Sequence, residues 1–270
     1  MNQSIKKAFE ILSFVVENPE KMSLSEMSAS LRMNKTTLYR FLSTLESLDI
    51  LSRKDEHYVP GIKLFELGSK VPVKQLIVAR VHPVLSRLTA EVNETVNLAE
   101  LRSNRVFYLD KTESLRSLQI QTSVGSYIAL HATALGKSIL SILPEALRES
   151  IIRQLDFEVR TPNTITEPAE LRTQVEKVWT DGYSTDDEEW EEGLRCVAVP
   201  LLIEELNFYG GISCSGPTVR FTPQRIMELA EKLKEAITEI IKSFSGSQVR
   251  PSRKGVIHTP LLGGPATQRK

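Results

Sequence analysis

The segment from Leu24 to Leu45 constrains this chain more than any other, because it encodes two short amphipathic helices joined by a tight turn. Ser23 and Glu26 have the spacing of a capping box, so a helix is expected to begin there and run to about Leu31. Leu24, Met27 and Leu31 stand at i, i+3 and i+7 and form one apolar stripe. Arg32-Met33-Asn34 supplies the turn, with Asn34 as N-cap of the next helix. In that helix Leu38, Phe41, Leu42 and Leu45 repeat the inward spacing, while Thr36, Tyr39, Arg40 and Ser43 point the opposite way. Those side chains donate to phosphates and base edges, and arginine can take guanine bidentately. Lys35, in the first turn, suits a phosphate, and Thr37 beside it joins the DNA-contacting set. The arrangement is that of a device for reading the major groove.

The flanking sequence extends the same reading. Ile5, Ala8, Phe9, Leu12, Val15 and Val16 predict a preceding helix that Asn18-Pro19 ends. Ile50–Lys54 and His57–Pro60, around Asp55-Glu56, predict a short hairpin, which makes a winged helix-turn-helix with Arg53 and Lys54 on the wing. A plain helical bundle with a solvated polar face, or a pair that docks a protein partner, fits the periodicity as well. Charge supports DNA only locally: residues 31–54 carry five Lys/Arg against Glu46 and Asp49. So few phosphate contacts bind weakly, so a reader of this kind is expected to act as a dimer or higher.

A length of 270 residues leaves room for a second domain with its own core. No apolar leader and no run of about 18 apolar residues is present, so a cytoplasmic protein without a membrane partner is expected. The two cysteines, Cys196 and Cys214, are too few for a disulfide framework, and no Cys/His group has zinc spacing; no metal or cofactor is expected. Equal numbers of basic and acidic residues hide an asymmetry. From Ser243 onward there are five Lys/Arg and no acid, in a Gly/Pro/Ser-rich stretch that reads as a disordered basic tail.

The division expected is a reading domain over 1–63, a linker helix over 64–82, a second domain over 83–244 and the tail over 245–270. Val73 to Val81 reads as a connector helix, with Pro83 opening a separate helix to Val92. Thr95–Arg102 and Arg105–Lys111 look like a hairpin about Ser103-Asn104, and Cys196–Ile203 and Tyr209–Ser215 like strands about a turn. Thr133–Leu143, Glu145–Leu155, Glu167–Asp181 and Thr222–Phe244 read as helices. Hairpin pairings predict an α+β domain with an antiparallel sheet covered by helices.

Three segments of this half carry chemistry. His131 to Lys137 brings small residues into a helix start, where exposed backbone N–H groups suit an anion; close packing explains them equally well. Residues 186–192 hold six acids broken only by Trp190, a run that usually forms a solvated loop. Gly211 to Pro217 places Ser213 and Ser215 on one strand face and Cys214 on the other. Neither serine has an evident base, since His57, His82, His131 and His258 stand in no triad context. Catalysis is therefore not expected, although a small-acid hydrolase using Asp186, Cys196 or Ser213 is the rival reading.

Taken in order, the helix-turn-helix, Leu109–Ser114, Leu130–Ser138, Gly182–Glu189, Gly193–Ala198 and Ile212–Pro217 resemble the IclR family of bacterial transcriptional regulators over residues 3–244. The resemblance implies a GAF-like effector domain, a homodimer or homotetramer, and a palindromic operator in double-stranded DNA. It further implies a small-molecule effector, commonly an organic or aromatic acid and so a carboxylate, contacted here by Ala134, Leu135, Asp186, Cys196, Ser213 and Ser215. Repression of a catabolic operon is the commoner expectation for the family, activation the alternative. On this reading Asp186 lines the pocket and the other acids of its run stay in solvent. Leu135, where small-acid binders of the family often have a smaller residue, would reshape the pocket.

Overall fold

The computed structural model describes residues 2–18, 22–55, 57–116 and 123–245. The chain divides into two units, Met1–Val73 and Lys74–Lys270.

In the first unit, α1 (Gln3–Glu17) opens on Asn2, whose side chain accepts from the amides of Ser4 and Ile5. The capping box of α2 (Leu24–Ser30) forms reciprocally: Glu26 N–H donates to Ser23 Oγ, and Ser23 N–H to Glu26 Oε2. Arg32 turns the chain with a φ of 49°, and Asn34 caps α3 (Lys35–Ser47) through a 2.8 Å bond from Thr36 N–H. A two-stranded antiparallel wing follows, β1 (Leu51–Lys54) on β2 (His57–Pro60), and then α4 (Ile62–Gly68). The core is Ile11, Val15, Met27, Leu38, Leu42, Leu45 and Leu51.

One expectation needs correction here. On α1 the buried residues are Ile11 and Val15, whereas Ile5, Phe9 and Val16 are exposed. The helix carries an apolar arc wider than the surface covering it, and only the Ile11–Val15 edge, with Leu12 and Phe14, meets α3 and the wing. By its internal contacts this unit runs on to Val73, so that α4 lies within it. Gly61 N–H bonds Ile50 O and Lys63 N–H bonds Asp49 O, which ties α4 to the start of the wing.

The second unit begins with α5 (Val73–Val92), a single helix containing Pro83 rather than the two helices expected. Pro83 lies on the exposed side, where the carbonyl deprived of its partner can turn to water. Then come β3 (Thr95–Arg102), β4 (Arg105–Thr112), β5 (Tyr127–Ile128), α6 (Ala134–Ser141), α7 (Glu145–Gln154) and α8 (Pro168–Asp181). They are followed by β6 (Ser184–Asp187), β7 (Leu194–Ile203), β8 (Phe208–Pro217) and α9 (Pro223–Ser245). Ser103 and Asn104, both at positive φ, make the two-residue turn between β3 and β4.

The strands form one antiparallel sheet in the order β5-β4-β3-β8-β7-β6. Helix α6 covers β7 and β8 on one face and carries α8 on its outer side, while α9 covers β7 and β8 on the other. Gly136 permits the close seat of α6: a Cβ there would stand 2.1 Å from the Leu130 carbonyl oxygen. This is the α+β architecture that the hairpin pattern predicts. The expected basic tail, His258 included, lies outside the described residues apart from Ser245, the last residue of α9.

Candidate functional site

The register of the sheet builds the site. Asp186 of β6 pairs with Cys196 of β7, and Cys196 with Ser215 of β8, so the three stand side by side along one line across the strands. On the next such line toward the sheet centre, Ser184 pairs with Ala198, Ala198 with Ser213, and Ser213 with Asn97 of β3. Residues two apart on a strand share a face, so these lines look toward α6 together. Wholly buried Asn97 donates through Nδ2 to Ser213 Oγ at 3.4 Å and Ser215 Oγ at 3.5 Å. Cys214, on the opposite face, lies near the charges of Glu94 and Arg225.

Against this face α6 begins at its N-cap Thr133, whose hydroxyl accepts from Gly136 N–H at 3.1 Å. Between the helix start and the strands lies a cavity of about 300 Å³. Ala134, Leu135, Asp186, Cys196, Ser213 and Ser215 all line it, so the structure brings together all six residues of the expected pocket. Sequence reading missed the other walls, among them Tyr108, Thr133, Trp190 and Glu191. Tyr108 was recoverable from β4 alternation, since Val106 and Tyr108 are buried together.

The acidic run is not a solvated loop throughout. Asp186 is 1% exposed and accepts Glu189 N–H at 2.8 Å and Trp190 N–H at 3.3 Å. Burial, and then the charge of Glu189, push the Asp186 carboxyl up to about 7, against the pull of Lys137 and the two amides. Glu189, expected in solvent, is also buried, and both its oxygens accept from Lys137 Nζ, at 2.5 and 2.7 Å. Lys137 is 1% exposed, so its charge is spent on Glu189 beneath the cavity. The loop is held by its own carbonyls: Thr161 Oγ1 donates to Glu188 O, Thr164 Oγ1 to Glu189 O and Asn163 Nδ2 to Asp187 O. Burial, and then the Asp186 charge, raise the Cys196 thiol well above its usual range. Tyr108 is raised likewise, chiefly by burial.

The histidines need one correction. His82 Nδ1 lies 2.7 Å from Asp110 Oδ2, and Ser86 Oγ lies 3.3 Å from His82 Nε2, which is the order of a Ser-His-Asp array. Ser86 and His82 sit on the exposed face of α5, and the cavity lining includes neither. Among the described residues no group of three or more His, Cys, Asp or Glu could hold a metal ion, and no helix is long and apolar enough to cross a membrane.

In the first unit, Lys35, Thr36, Tyr39 and Arg40 are exposed on α3, while Thr37 and Ser43 are half-buried on its flanks. Arg53 and Lys54 are exposed on the wing, where Arg53 Nε donates to Asp55 O at 3.2 Å.

A helix-turn-helix with an outward arginine, and a separate sheet domain holding a small cavity of mixed polar and apolar lining, define a DNA-binding regulator with a sensor domain. Comparison with known proteins makes this specific. Residues 4–55 match the IclR helix-turn-helix domain, and residues 70–242 match the domain described as bacterial transcriptional regulator IclR C-terminal. The HTH-type transcriptional regulator KdgR of Dickeya chrysanthemi is 34% identical over 239 residues, 88% of this chain and 78% of that protein. The acetate operon repressor of Salmonella typhimurium is 28% identical over 250 residues, 91% of each chain. The crystal structure of the Thermotoga maritima IclR is 36% identical, with a TM-score of 0.61, covering 89% of this chain and 98% of that one. The chain belongs to the IclR family of bacterial transcriptional regulators.

Proposed function

We propose that this regulator represses a catabolic operon and that a small organic or aromatic acid, held in the α6 cavity, modulates its grip on DNA. The single observation that carries the sensing half is the convergence on one cavity of six residues from four elements, α6, β6, β7 and β8. The first amides of α6 offer donors to a carboxylate, and Ser213, Ser215, Asp186 and Cys196 meet its other polar groups. In the first unit Thr36, Tyr39, Arg40 and Ser43 read base edges, while Lys35, Thr37, Arg53 and Lys54 meet the sugar-phosphate backbone. A homodimer or homotetramer presents paired heads to a palindromic operator, with half-sites about one helical turn or a multiple apart. Acting on chromosomal DNA places the protein in the cytoplasm. Effector binding need supply only about 1–3 kcal/mol of coupling to act as a switch.

Footprinting and salt titration on its own promoter DNA test the reading half. Arg40→Ala is expected to abolish discrimination between operator and random duplex. Lys35→Ala should weaken both alike and lower the slope of log K against log salt by about 2 for a pair of heads. Equal affinity of Arg40→Ala and wild type for the operator overturns the assignment of α3 as the reading helix.

A further inference from the structure

Among the described residues, the cavity lining carries two carboxylates, Asp186 and Glu191, and no lysine, arginine or histidine. Lys137, a buried cation whose charge acts on Asp186, is bound through two short contacts to Glu189. A ligand carboxylate seated on the α6 amides thus shares one cavity with the Asp186 carboxylate, with no basic side chain in the lining to offset the two charges. Like charges held together inside a protein without a counter-charge favour keeping a proton on one of the pair.

We propose that the cavity takes its effector as a monocarboxylate together with one proton, lodged on Asp186, and rejects dianions such as dicarboxylates and phosphate esters. The inference rests on the small-acid reading above. Protonated Asp186 becomes a hydrogen-bond donor toward the ligand while its other oxygen keeps the amides of Glu189 and Trp190. A second negative charge on the ligand finds no lysine, arginine or histidine in the lining to offset it.

The groups around Asp186 fit this reading. From β4 and β7, Tyr108 and Cys196 face it, and burial holds both in their neutral forms through the physiological range. Glu189, on its own loop, adds negative charge and Lys137, from α6, positive charge; the two are paired with each other. Glu191 is the other carboxylate residue of the lining. With its carboxyl at about 7, Asp186 is the group poised to change. The sign follows: below pH 7 it already holds the proton and the anion binds freely, whereas above pH 7 each bound anion must draw a proton from solution.

The test is calorimetric titration of the full chain with monocarboxylates from lactate to benzoate and with their dianionic counterparts malonate and phthalate. It runs from pH 5.5 to 9 in two buffers of different ionisation enthalpy. Wild type is expected to lose affinity for the monocarboxylates about tenfold per pH unit above 7, with about one proton taken up per ligand at pH 8–9. Asp186→Asn, neutral at every pH, should bind with no slope and about 100-fold tighter than wild type at pH 9. Dianions should bind at least about tenfold more weakly than their matched monoanions. Monocarboxylate binding that is flat with pH in wild type, or preference for the dianions, overturns the proposal and leaves the small-acid reading standing. No binding of any acid at pH 5.5, where Asp186 holds its proton, removes that reading and the proposal together.

Discussion

Replacement of Lys137 by methionine isolates the contribution of the buried ion pair beneath the cavity. Lys137 is 1% exposed and Glu189 8%, and the ammonium supplies both short contacts to the carboxylate. Without it, among the described residues Glu189 retains only a long 3.4 Å bond from Asp187 N–H. A carboxylate left buried without its partner costs about 3–5 kcal/mol. For a unit of 150–250 residues each kcal/mol moves Tm by about 2–4 °C, so Lys137→Met should lower the transition of the second unit by roughly 6–20 °C. Replacing both partners by methionine removes the orphaned charge and keeps the volume, and should recover more than half of that loss. Scanning calorimetry at pH 7.5 reads both variants. A Lys137→Met midpoint within about 2 °C of wild type, or a double variant as unstable as the single one, refutes the reasoning. A second readout is independent of stability: Lys137 pulls the Asp186 carboxyl down, so its removal should let Asp186 keep its proton to higher pH, measurable by carboxyl-carbon NMR.

One further substitution and one reagent test the packing around the same cavity. Gly136→Ala places a methyl 2.1 Å from the Leu130 carbonyl oxygen, where two backbones meet and neither yields easily; a loss of about 1–3 kcal/mol is expected, and an unchanged midpoint contradicts the close seat of α6. The thiols of Cys196 and Cys214 are both raised by burial, Cys214 to about 12, so little thiolate exists at pH 8. Iodoacetamide at pH 8 should modify neither in the folded chain and both in guanidinium; rapid native labelling of either would show the thiol to be exposed.

What sequence revealed, and what it hid, follow from how far each signal is local. The capping box at Ser23 and Glu26, the Asn34 cap and the Ser103-Asn104 turn involve neighbours in the chain, so residue type alone specifies them. The α1 stripe failed because apolar residues wrap most of that helix, and only tertiary contact decides that Ile11 is covered and Phe9 is not. Pro83 was read as a helix start, which local rules allow; its exposed position lets α5 run through it instead. The pocket residues were legible as three separate segments, and the family resemblance joined them. Their meeting depends on sheet register, which only the folded chain displays.

Strand β6 and the loop after it show why the acidic run was misread. Ser184-Thr185-Asp186-Asp187 has no apolar contrast, so period-two alternation is invisible in it, yet Ser184 and Asp186 are buried and Asp187 is exposed. What replaces hydrophobic contrast is polar pairing across distance. Ser184 Oγ donates to Ala134 O at 2.6 Å, Lys137 pairs with Glu189, and Thr161 and Thr164 hold the loop carbonyls. Each of these partners comes from outside the run, from α6 or the segment before α8. A buried charge is tolerable only where such partners are already in place. Glu189 is therefore a consequence of α6 lying where Gly136 lets it lie, and Asp186, left without a cation of its own, is the carboxylate whose protonation the cavity can use.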